Sequence, residues 1–344
     1  MTLGPRVLKT GIAVTLALYL CSFIGLEPGV FAGVAALLSI QPSIYRTWRL
    51  MLDQIITNTL GATIALLAIQ FLGDSPVIIG FVAMLVIAVT LRIRMSNTIP
   101  LTLVTVLAIM SVPGNETFLF AWNRFAIIMV GVGSALLVNL IILPPKYKEN
   151  YLKKAHTAFE NMSLLLRTAI SNEMLERTVR DDSKKFKDDM QALEEQFELF
   201  DEERVKMIKL NPMDVREIVV FKQMLKTLQH GGQVLDNIEE HFFQSKVEEA
   251  ENHLFDQYLE RLVRSHEYLL LKYEGKMKDK ETHFEEDVLK ESGLFFKQVL
   301  EFYNQDVDQK YRLLIIASSI VEYTFHLQRL NQLIEQYDKV ANKK

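Results

Sequence analysis

A single cysteine, Cys21, serves a chain of 344 residues. No intramolecular disulfide can form, and no cysteine pair exists to hold a metal. The G-x-x-x-x-G-K phosphate loop is missing, which argues against an ATP-driven pump. The Gly-x-Ser-x-Gly elbow of serine hydrolases is missing too, so the chain reads as a non-enzyme without a cofactor. Its 7 histidines contain no i, i+4 pair, and their spacing predicts no metal site. Arg6 and Lys9 precede an apolar run as in a secretory leader. However, Leu18-Tyr19-Leu20-Cys21 lacks the small residues of a lipoprotein cleavage site, and no A-x-A site follows. The first segment is therefore expected to be retained.

Charge is scarce before Pro144-Pro145. Up to Leu143 there are seven basic residues (Arg6, Lys9, Arg46, Arg49, Arg92, Arg94, Arg124) and four acidic ones (Glu27, Asp53, Asp74, Glu116). The remainder carries 31 basic and 38 acidic residues. The first part is too apolar to solvate a surface, whereas the second has the composition of an ordinary helical domain. The expected fold is all-α: a transmembrane domain over 1–145 and a cytoplasmic helical bundle over 146–344.

Six apolar stretches are present: Val7–Leu26, Pro28–Ile44, Leu50–Leu72, Pro76–Ile93, Ile99–Val112 and Thr117–Leu143. About 20 apolar residues cross a bilayer; the second and fifth stretches are short. Bases alternate strictly between connections. Arg6 and Lys9, Arg46 and Arg49, Arg92 and Arg94, and Lys146 to Lys154 mark one side; Gly25–Gly29, Gly73–Ser75 and Pro113–Glu116 carry none. The positive-inside rule puts both termini in the cytoplasm and requires an even number of crossings, hence a multi-pass protein of the cell membrane.

The stretches fall into two groups of three. Pro28 and Pro42 bracket the second, Pro100 and Pro113 the fifth; Trp48 opens the third and Trp122 the sixth; Gly61 and Gly133 follow, then Gln70 or Asn139. An odd number of crossings per copy makes an inverted repeat, and short Pro-interrupted segments at matching places point to a transport site. The alternative is chance similarity between apolar segments.

Charge inside hydrocarbon costs about 2.5–3.5 kcal/mol and asks for a reason. Arg49, Asp53, Thr57 and Gly61 recur every fourth residue as one helical stripe, with Asn58 alongside. The stripe reads either as a polar pathway with Asp53 as proton carrier or as an interfacial Arg49–Asp53 pair. Gln41 before Pro42 marks a broken helix or the start of a loop. Arg124 and Lys9 either attract an anion or snorkel to head groups, with snorkelling favoured for Lys9. The candidate pathway is therefore Asp53, Arg49, Asn58, Gln41 and Arg124, with Arg46, Arg92 and Arg94 at the cytoplasmic mouth.

Lys9-Thr10-Gly11, Gly29 to Pro42, Arg46 to Arg49 and Asn58-Thr59-Leu60-Gly61-Ala62 together resemble the aromatic acid exporter family. The similarity is to its Gram-positive branch, within the fusaric-acid-resistance-like group. The resemblance implies proton-driven export of organic or aromatic carboxylates by a dimer or higher homo-oligomer in the lipid bilayer.

After Pro145 the helical periodicity runs over Tyr147–Ile170, Asp182–Leu210, Met213–His230, Val234–Tyr273, His283–Asn304 and Asp306–Val340. Breaks are expected at Asn211-Pro212, Gly231-Gly232 and Gly275–Lys280. Leu313, Ile316, Ile320, Tyr323, Leu327, Leu330, Ile334 and Tyr337 form an a/d seam, read as a dimer coiled coil or, in preference, as one core helix of a single-chain bundle. The acidic residues around Lys276, Lys278 and Lys280 argue for a solvated turn and against nucleic acid. The expected function is export of small organic anions; the alternative is a membrane-anchored scaffold or sensor whose bundle binds a protein partner.

Overall fold

A computed structural model of the protein describes residues 5–112, 117–142, 146–171, 176–207, 215–242, 247–277, 284–305 and 307–341. Among them the chain is all-α, without a strand. It divides into two compact units, Met1–Lys146 and Tyr147–Lys344.

The first unit contains α1 (Pro5–Ile24), α2 (Val30–Ser39), α3 (Ile44–Leu72), α4 (Pro76–Arg92), α5 (Ile99–Met110) and α6 (Thr117–Leu137), the last continued by a π-helical turn over Val138–Ile142. Among the described residues three helices are long and apolar enough to cross a membrane: Arg6–Ile24, Ile44–Leu72 and Phe118–Ile142. The second apolar stretch is helical for only 10 residues, and the fifth for 12 after a 3-10 turn at Ser96–Thr98.

The local chemistry explains the boundaries. Pro42 and extended Ile40 end α2. Ser43 caps α3, its hydroxyl accepting from the Arg46 N–H at 3.0 Å. The cap starts α3 at Ile44, six residues before the expected Leu50, so Arg46 and Arg49 stand in its first turns and not in a loop. At the other end Gly73, at φ 88°, supplies the left-handed turn that closes α3.

The surface of this unit inverts the rule for water-soluble proteins. Phe23, Val77 and Phe71 are 90%, 81% and 76% exposed, while Gln54, Thr57, Asn58 and Arg124 are buried. Apolar side chains outside and polar ones inside are what a lipid solvent selects.

α1, α2 and α6 enclose one core built from Ala13, Ala17, Cys21, Ala32, Ala36 and Ile127. α3, α4 and α5 enclose another from Ala65, Val82, Val86, Val106 and Ile109. α6 thus packs on α1 and α2 as α3 packs on α4 and α5, and α3 meets α6 between the groups. Exchanging each helix of the first three with its counterpart among the last three reproduces this packing, with the third helix of each copy crossed over to the other. The glycines at these contacts correct the expected pairing. A Cβ on Gly61 would meet Thr102 and Val106 of α5, and one on Gly131 would meet Ala32 and Ala35 of α2. Gly133 has nothing within 4 Å, so the close contact of α6 lies at Gly131 and not at the glycine matched to Gly61 in the sequence.

The second unit contains α7 (Tyr147–Ser171), α8 (Glu176–Met207), α9 (Val215–Asn237, extended by a π turn over Ile238–Phe242), α10 (Glu249–Tyr273), α11 (Phe284–Gln305) and α12 (Val307–Ala341). One core joins them through Tyr151, Met162, Phe200, Phe221, Phe255, Leu262 and Val299. The a/d residues of α12 from Leu313 to Ile334 are buried in that same core, where α9, α10 and α11 cover them. The seam is internal to the unit, as the single-chain reading expects.

The expected break at Gly231-Gly232 is absent, because α9 runs through both. Missing Cβ atoms there let Met162 and Phe186 approach the helix, so close packing outweighs the cost of glycine in a helix. The real break precedes α10, where Glu248 and Glu251 form a reciprocal capping box. Asn211-Pro212 and Lys278 to Lys280 lie outside the described residues.

Candidate functional site

Polar side chains inside the first unit gather at three levels. At the start of α6, Arg124 is 1% exposed, its guanidinium carbon 3.1 Å from the ring centroid of Phe31 on α2. None of its three side-chain nitrogens has a hydrogen-bond partner among the described residues. Next to it, Asn123 donates to the Glu27 carbonyl at 2.9 Å and ties α6 to the connection before α2. Buried cations are ordinarily paired. Arg124 rests only on an aromatic face, an attraction that neutralises none of its charge.

Midway along α3, Gln54, Thr57 and Asn58 face Thr102 and Thr105 of α5. The Asn58 amide donates to the Gln54 side chain at 2.7 Å, and its oxygen accepts from Thr105 at 2.9 Å. Thr102 donates to Thr57 at 3.1 Å, and Thr57 to the Asp53 carbonyl at 2.9 Å.

At the far end of α6 the π turn presents Asn139. Its amide lies 3.1 Å from the Gln41 and Ser43 carbonyls and 2.9 Å from the Thr47 hydroxyl, while its oxygen accepts from the Lys9 ammonium at 2.8 Å. The non-helical backbone between α2 and α3 therefore finds its donors in protein.

These positions settle several alternatives. Gln41-Pro42 is a loop between helices, not a break within one. Lys9 donates to Asn139 across 130 residues, a partner within the protein that neither sequence reading had named. The Arg49, Asp53, Thr57, Gly61 stripe divides: Thr57 is buried against α5, Asp53 is half-exposed and Arg49 is exposed. No Arg49–Asp53 ion pair forms among the described residues. Arg46 is exposed, Arg92 ends α4 and Arg94 turns the chain at φ 60°. The structure thus gathers Asn58 with Gln54, Thr57, Thr102 and Thr105, and Gln41 with Asn139 and Lys9; it leaves Arg124 apart. Gln54, Thr102 and Thr105 escaped the sequence reading because isolated threonines and amides in apolar helices carry no spacing signal.

Comparison with known proteins bears on this arrangement. Residues 1–142 match the family described as Aromatic acid exporter family member 1. The chain is 35% identical over 349 residues to the UPF0421 protein YgaE of Bacillus subtilis, covering 98% of this chain and 96% of that one. The chain belongs to the aromatic acid exporter family. UPF0421 proteins of Oceanobacillus iheyensis and Halalkalibacterium halodurans are 31% and 33% identical over 160 and 164 residues, with 46% and 47% of this chain and 46% and 45% of theirs covered. Membership of this exporter family and the lipid-facing apolar helices make the chain a membrane protein. Within this unit Arg124 is the buried cation that has no carboxylate beside it among the described residues.

Proposed function

We propose that the protein exports small organic anions, aromatic carboxylates foremost, across the cell membrane, and that Arg124 receives the carboxylate. The guanidinium without a partner among the described residues carries this reading: a buried cation that none of their side chains neutralises is stabilised by an anion that arrives and leaves. Phe31 beside it offers a ring face to an aromatic cargo.

The chain crosses the bilayer six times with both termini in the cytoplasm. The 10 helical residues of α2 rise about 15 Å, and the extended residues beside it lengthen that path toward the ~30 Å of hydrocarbon. Arg46, Arg49, Arg92 and Arg94 collect anions at the inner mouth. Asp53, half-exposed on α3, exchanges the driving proton, and two copies assemble in the membrane.

The test is flux in proteoliposomes with a panel of aromatic and aliphatic carboxylates. Wild type should move an aromatic carboxylate down a pH gradient. Arg124→Gln should slow it at least ~30-fold, the effect of losing one buried charged partner, and Asp53→Asn should remove the dependence on the gradient. Absence of gradient-driven flux for every panel member would return the protein to the scaffold reading.

A further inference from the structure

In the second unit two histidines 96 residues apart in sequence come together. His230 of α9 and His326 of α12 stack at 3.7 Å between ring centroids, 15° from parallel. Glu322, one turn before His326, brings Oε1 to 3.7 Å from Nδ1 of His230. That Nδ1 is buried and has no hydrogen-bond partner among the described residues. One donor atom from each of the three residues lies within 4.8 Å of the others. The edge of a tetrahedron with zinc–ligand bonds of ~2.0–2.1 Å is ~3.3 Å, so the two rings have to turn out of their parallel stack for their in-plane lone pairs to meet on one ion.

We propose that His230, Glu322 and His326 bind a divalent late first-row transition metal, Zn2+ foremost, and clamp α9 to α12. Two imidazoles and a carboxylate form the borderline donor set that such ions select, and that Mg2+ and Ca2+ do not. Glu322 and His326 stand at i, i+4 on one helix face, a chelating spacing. The Gln223 amide nitrogen lies 3.0 Å from Nδ1 of His326 and 3.1 Å from the His326 carbonyl, so a metal on Nε2, which leaves the proton on Nδ1, has to displace this amide from the ring. Thr227, whose hydroxyl donates to the Gln223 carbonyl at 2.8 Å, also lies 3.3 Å from the His326 carbonyl and packs that turn of α12 against α9. A cleft lined by Gln233, Asp236, Asn237, Ser319 and Glu322 itself opens to solvent and gives an ion a way in to the carboxylate. The histidines' separation in sequence hid the site from any spacing rule.

The test uses the full-length protein in detergent, stripped with a chelator and titrated with Zn2+ by calorimetry and with Co2+ by visible spectroscopy. One equivalent should bind with a cobalt spectrum of nitrogen and oxygen ligation, and Zn2+ should raise the melting temperature. His230→Ala and His326→Ala should abolish both signals. Glu322→Gln, on an exposed position that folding does not need, should weaken binding at least ~10-fold. His241→Ala/His253→Ala should bind as wild type does. Wild type that binds no Co2+ or Zn2+, or a Glu322→Gln protein that binds as tightly as wild type, overturns the proposal and leaves a metal-free imidazole stack.

Discussion

Gly61 of α3 and Thr102 of α5 approach so closely that a Cβ on the glycine would fall 2.8 Å from the threonine Cγ2 and 3.0 Å from Val106 Cγ2. The same approach recurs between Gly131 of α6 and Ala32 of α2. Helix pairs in lipid gain little from hydrophobicity and depend on such close packing. The contacts join α3 to α5 and α6 to α2, the pairings on which the two cores of this unit are built.

Gly61→Ala should therefore destabilise the first unit by about 1–3 kcal/mol, the range for overpacking. Gly133→Ala, which enters open space within a helix, should be neutral or gain up to ~1 kcal/mol. Thermal unfolding in detergent compares the two. Equal effects would show that α3 and α5 do not meet at Gly61.

Arg124 separates stability from activity. In a folded protein without cargo its buried charge is uncompensated, so Arg124→Gln should melt at or above the wild-type temperature while losing transport. An aromatic carboxylate should raise the melting temperature of wild type and leave that of Arg124→Gln unmoved. A variant that melts lower and still responds to the carboxylate would assign Arg124 a structural role.

Asn139 connects three segments through one amide. Asn139→Leu strips the Gln41 carbonyl and the Lys9 ammonium of their partner, at about 1–3 kcal/mol for each buried group. Lys9→Met in that background should cost less than Lys9→Met alone, because the shared bond is already gone. Additive losses in a double-mutant cycle would place Lys9 away from Asn139.

Acid should weaken the second unit through His266. The side chain is buried, its Nδ1 2.6 Å from the Tyr323 hydroxyl. Burial, and secondarily the nearby His156, push it down to about 3. The unfolded imidazole titrates near 6.5, so the unfolded state binds the extra proton between these values. The stabilisation is complete above about 6.5 and is lost as pH falls toward 3, with a slope of up to ~1.4 kcal/mol per pH unit. His266→Gln, which keeps a partner for Tyr323 and cannot titrate, should flatten the denaturation profile over that window. An unchanged slope would exclude His266 as its source.

The apolar helices and the charged ones were legible in the sequence because burial and lipid exposure both leave periodic or continuous apolar runs. Helix ends were less legible. Arg46 and Arg49 read as loop because charge usually marks one, yet the Ser43 cap draws them into α3. Gly231-Gly232 read as a break because glycine weakens helices, yet here it makes room for Met162 and Phe186. Pairings between distant residues left no local trace. Lys9 with Asn139, Asn58 with Thr105 and His230 with His326 are each created by tertiary packing, and the depth of Arg124 shows only once α2 lies beside it.

Cys21 is 0% exposed, and α2 passes so near it that a Cβ on Gly29 would sit 3.3 Å from the cysteine Cβ. Wild-type protein should thus be silent to thiol reagents applied from either face of a sealed vesicle. Any cysteine introduced by mutagenesis becomes the sole addressable position, and sidedness of labelling at Asp74 or Lys148 can be read against a natural blank.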